Sequence, residues 1–139
     1  MKVLAEWPPN IEEIKKVFAI NSTTVFTYGD TIYNPNSCPL DTPILTHEEL
    51  HSRQQGEDPK AWWDKYLSDI EFRLEQELAA YQVQYWVQCK FIPDRNTRAL
   101  NLQRLAETLA GSMYNNLISV KRAKELIKWK PKKTKKKST

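Results

Sequence analysis

The chain holds two histidines, and both fall in one five-residue stretch, His47-Glu48-Glu49-Leu50-His51. This is the pattern H-E-x-x-H. On a helix, residues four apart project from one face, so two imidazoles at that spacing can grip a single ion. Glu48 lies about 100° further round the helix than His47, which sets its carboxylate beside the ion rather than on it. From there it can act as general base toward a water that the ion polarises. The ion expected is Zn2+, which takes three protein ligands and keeps a fourth position open when it is catalytic.

The third ligand must come from elsewhere, and no histidine remains. Gln54 stands where the longer H-E-x-x-H-x-x-G-x-x-H pattern places its glycine. That leaves a carboxylate, and the next long helix offers Glu71, Glu75 and Glu77. Glu77 is preferred, because small Ala80 lies one turn on, where two helices would approach closely. Glu75 is the alternative and Glu71 comes third. The acids left over belong on a solvated helix face.

These residues need elements to hold them. Asn10 can cap a helix that runs through Ile20, with Ile11, Ile14, Val17 and Phe18 at helical spacing. Thr23–Thr27 and Thr31–Tyr33, separated by Tyr28-Gly29-Asp30, read as a β-hairpin. Asn34 to Pro43 carries three prolines and reads as a loop. Helical pattern begins at Thr46 and runs out near Gly56. A short helix is expected over Ala61–Leu67, a long one over Asp69–Gln88, and further ones over Thr97–Ala110 and Ser119–Trp129, with Ser119 as N-cap. Trp62, Trp63, Tyr85 and Trp86 read as core. Gln54 and Gln55 extend the metal helix by about a turn and can either hydrogen-bond within the site or face solvent. The fold class is therefore α+β, mostly helical, with a small N-terminal antiparallel hairpin packed on the H-E-x-x-H helix and a second ligand-bearing helix.

With 139 residues there is room for one core, expected over residues 1–129. No apolar run approaches the ~20 residues of a membrane span, and no secretory signal pattern opens the chain. Two cysteines, Cys38 and Cys89, make no disulfide framework, which fits a reducing, cytoplasmic setting. The net charge of +4 conceals an asymmetry. Residues 128–139 hold seven lysines and no acid, whereas the rest carries 14 basic and 17 acidic side chains. The segment 130–139 reads as a basic tail, either merely solvated or drawn weakly and without sequence preference to nucleic acid or anionic surfaces through Lys128–Lys137.

A ligand glutamate followed three positions later by a small residue resembles the gluzincin zinc peptidases. The likeness is closer to small zincin-like metallopeptidases predicted from bacteriophage and environmental sequences. It is carried by Thr46–His51, Arg53-Gln54-Gln55, Trp62-Trp63, Tyr66-Leu67, Phe72–Leu78, the Val25–Tyr33 hairpin and Gly111–Ile118, within residues 23–127. The resemblance implies a zinc-dependent peptidase with Glu48 as base, a peptide or protein substrate, and residence in a host cytoplasm or a virion. Two positions depart from the larger gluzincins. Tyr81 replaces the aspartate that orients the first histidine, so Tyr81 or a backbone carbonyl must take that task, or the metal is held less tightly. No spare histidine exists to stabilise the oxyanion, and Tyr114, just after Gly111-Ser112, becomes the candidate. An exposed edge on Thr23–Thr27 could also pair with an extended substrate, or the hairpin could be purely structural. Competing readings are a catalytically silent zincin-like structural or interaction protein, for example in a virion, and a nucleic-acid-associated protein acting through its lysine-rich tail.

Overall fold

The computed structural model describes residues 1–129. Strands β1 (Lys2–Leu4), β2 (Phe26–Tyr28) and β3 (Thr31–Tyr33) form a small sheet, and six helices make up the rest. These are α1 (Ile11–Lys15), α2 (Thr42–Gln55), α3 (Pro59–Ser68), α4 (Ile70–Phe91), α5 (Arg95–Leu109) and α6 (Val120–Lys128), with a single 3-10 turn at Ser112–Tyr114. The mostly helical α+β class expected from the sequence is the one observed.

The hairpin is present, but its first strand is Phe26–Tyr28 rather than Thr23–Thr27. Tyr28 pairs with Thr31, so Gly29 and Asp30 form a two-residue turn. Gly29 has a φ of 62°, the positive value that the first central residue of such a turn requires. The sequence reading had no β1. This exposed strand pairs in parallel with β3 and makes β3 the centre of the sheet, in the order β1-β3-β2.

Two helix starts differ from expectation. Helix α2 begins at Thr42, one turn before Thr46, because Asp41 caps it by accepting from the Ile44 N–H. Pro43 then sits in the first turn, where its missing N–H costs nothing. In α1 the Asn10 side chain makes no cap, and the helix ends at Lys15 rather than Ile20. The chain turns there, and Phe18 and Ile20 pack with Ile14 against the aromatic cluster of Trp62, Trp63 and Tyr66. The other helices fall within a few residues of expectation, and Ser119 caps α6 through the Arg122 N–H.

The core lies in two clusters. One is aromatic, between the sheet and α3. The other gathers Leu102, Ala106, Leu109, Tyr114, Ala123 and Ile127 under α4. Tyr85 packs on the second cluster, whereas Trp86 belongs to neither, remains half-buried and leaves its indole N–H without a partner. Cys38 and Cys89 are both free thiols. No helix among the described residues is long and apolar enough to cross a membrane. The tail 130–139 lies outside the described residues.

Candidate metal centre

Helices α2 and α4 pack along each other and bring His47, His51 and Glu77 together, all buried. Glu71 and Glu75 face solvent, so the carboxylate of the group is Glu77. The three candidate ligand atoms form a nearly equilateral triangle. His47 Nε2 and His51 Nε2 are 3.1 Å apart, and Glu77 Oε1 is 3.1 and 3.0 Å from them. Bonds of about 2.0–2.1 Å to a tetrahedral ion place ligand atoms about 3.3–3.4 Å apart. The side chains need to spread by only a few tenths of an ångström, so the group fits a metal ion.

Two of the three candidate ligands are supported by other side chains. Gln54 Nε2 donates to the Gln76 carbonyl at 3.1 Å, which turns Gln54 Oε1 toward His51 Nδ1 at 2.8 Å. A carbonyl oxygen can only accept, so the neutral His51 ring carries its proton on Nδ1 and leaves the Nε2 lone pair for an ion. Tyr66 donates its hydroxyl to Glu77 Oε2 at 2.5 Å and fixes the carboxylate so that Oε1 faces the histidines. His47 has no such help. Its Nδ1 is buried without a partner, and Tyr81 meets the ring edge-on at 4.8 Å instead of hydrogen-bonding to it. Of the alternatives left by the missing aspartate, neither Tyr81 nor a carbonyl orients His47.

Electrostatics follow from burial around one carboxylate. For His51, burial opposes protonation, but the charge and hydrogen bond of Glu77 outweigh it and raise the pKa to about 9. Burial pushes the Glu77 pKa up, yet the two histidines hold it well below the usual carboxylate range. Tyr66 and Tyr114 are raised far above the ordinary phenol value, first by burial and then by the Glu77 charge. Both remain protonated donors.

Glu48 lies beside this group rather than in it. Its Oε2 is 3.6 Å from His47 Nε2, and its Oε1 accepts from the Thr27 hydroxyl at 2.9 Å. Gln55 ties the hairpin down: its Oε1 accepts from the Gly29 N–H, and its Nε2 donates to the Thr27 carbonyl, both at 2.7 Å. Trp63 Nε1 donates to the same carbonyl at 3.0 Å. Thus both glutamines of the metal helix turn inward, one toward the ligand and one toward the strand that holds Glu48.

His47, Glu48, His51 and Glu77 open onto a cavity of about 650 Å³. Tyr114 lines the same cavity, with its hydroxyl beside that of Tyr81. Comparisons of the chain with family models, curated proteins and solved structures give no match. The chemistry of the site therefore rests on its own geometry.

Tyr66 is a supporting residue that the sequence did not single out, whereas Gln54 takes the first of the two places left open for it, bonding within the site. For Gln54 the only signal was its place one turn beyond His51. Its role predicts that Gln54→Leu keeps the fold but weakens metal binding about 10–100-fold, as losses of such outer partners do. Competition with a chromophoric chelator measures this. Unchanged affinity would show that the tautomer of His51 is set by something else.

Proposed function

We propose that the chain is a zinc peptidase in which His47, His51 and Glu77 hold the ion and Glu48 is the general base. The observation that carries this reading is the Glu48 carboxylate, anchored by Thr27 next to the three-ligand group and exposed to one cavity. A purely structural metal site needs no base beside it. Bound zinc would polarise a carbonyl and lower the pKa of water toward neutrality.

The chain's own groups divide the remaining work. Glu48 Oε1 is occupied by Thr27, which leaves Oε2, on the His47 side, to take the proton from water and pass it to the leaving amine. Among the described residues the lining contains no lysine or arginine, and its charged members are the site's own histidines and glutamates. That supports a neutral acyl substrate such as a peptide bond over a phosphate ester. On the β2 edge the Thr27 carbonyl is already taken, so the pairing position open to an extended peptide is Val25, which lines the cavity.

Tyr114 is proposed as the oxyanion donor, since burial keeps its hydroxyl protonated at the cavity wall. Tyr114→Phe should lower turnover about 10²–10³-fold with zinc content unchanged. A variant as fast as the wild type would remove Tyr114 from the mechanism. The reading as a whole is tested by elemental analysis of the purified protein together with digestion of a peptide library. One zinc per chain and chelator-sensitive cleavage are expected. Stoichiometric zinc with no cleavage would favour a silent metal-binding scaffold, and no zinc would overturn both.

A further inference from the structure

A second groove, of about 670 Å³, lies between α5 and α6 and shares no lining residue with the metal cavity. Leu102 and Gln103 stand on one side, with Lys121, Lys124, Lys128 and Trp129 on the other. Helix α6 buries Ala123 and Ile127, which turns its lysine-bearing face outward. From Lys121 to Lys128 the three lysines span eight residues, about 10 Å of helix. None forms an ion pair with any described residue, and the acid of the groove, Glu125, is paired with Arg122 at 3.2 Å. No Asp or Glu occurs from Leu126 to Thr139. Trp129 is 60% exposed at the mouth of this cationic groove.

We propose that the α5–α6 groove binds single-stranded nucleic acid, its lysines meeting phosphates and Trp129 stacking on a base. An exposed indole among ammonium groups suits a ligand that alternates negative charge with flat π faces. Lysine binds phosphate as a point charge, and Arg122 is already engaged by Glu125. A concave groove admits a strand, but a membrane surface would reach only its rim. The tail's attraction for polyanions, expected from sequence, thereby acquires a folded partner that distinguishes bases from bare charge.

The test uses the full 139-residue chain and a fluorescent oligothymidylate followed by anisotropy over a range of salt concentrations. Trp129→Ala should weaken binding about tenfold, the scale of one lost stacking contact. The Lys121→Gln/Lys124→Gln pair should lower the salt slope by about 1.4, since each single-strand phosphate contact contributes about 0.7. An abasic oligomer of equal charge should bind the wild type as weakly as the normal oligomer binds Trp129→Ala. Melting curves establish that these surface variants remain folded. Wild-type affinity in both variants would assign all binding to residues 130–139 and overturn the proposal. So would equal or tighter binding to polyglutamate, to duplex DNA or to phosphatidylserine vesicles.

Discussion

Glu77→Gln is expected to strip the metal from the protein while leaving its fold in place. The amide has the carboxylate's shape and can still accept from Tyr66, so the packing of α3 on α4 is kept. What disappears is the negative charge that faces both imidazoles at 3.0–3.1 Å. The remaining site is two neutral nitrogens and a weak carbonyl donor, a poor set for a doubly charged ion. Loss of an outer partner already costs metal sites about 10–100-fold, and loss of a charged ligand should exceed about a hundredfold. Zinc content after dialysis, with chelator competition, measures this directly. Retention of a tightly held ion in Glu77→Gln, with its loss in Glu75→Gln, would show that the third ligand has been misassigned.

Glu48→Gln should do the opposite, keeping the metal and losing hydrolysis by about 10²–10⁴-fold, the usual contribution of a general base. The amide can keep its bond to the Thr27 hydroxyl, so the hairpin stays where it is. It cannot take a proton at Oε2. A rate equal to the wild type's on any peptide that the wild type cleaves would exclude Glu48 as the base. The two variants together separate binding of the ion from use of it.

The histidine pair and Glu48 were legible because the helix repeat alone puts them together. Choosing among Glu71, Glu75 and Glu77 was harder, because α4 hides polar groups on its inner face. Arg73, Glu77, Ala80 and Gln84 are its buried residues, at spacings of four, three and four, beside the apolar positions that a hydropathy reading follows. The burial of Arg73 and Glu77 is tolerable only because partners from other elements satisfy them. Tyr66 could be read as one more aromatic in a dense segment, since its bond to Glu77 depends on the angle between α3 and α4. Strand β1 left no signal, as three exposed residues gain their structure from a partner nearly thirty positions later. The early helix start at Thr42 was masked by Pro43, read as a breaker when it stands in the one turn that accepts it.

Arg73 bears on how short a chain could carry this site. The buried guanidinium donates to the carbonyls of Tyr66, Leu67 and Met113, at 2.8, 3.0 and 2.8 Å. Every residue given a role in holding or using the ion, save Tyr114, lies before the end of α4. Yet the third carbonyl on which Arg73 depends comes forty residues after it. A fragment cut after Phe91 would contain the ligands, the base and their supports, but a cation at its centre would have lost a partner. The reactive groups are contiguous in the gene, whereas the scaffold that makes them a site is not. Transplanting the H-E-x-x-H helix and its glutamate helix into another protein would therefore carry over the motif without the site, unless an acceptor for that guanidinium travelled with them.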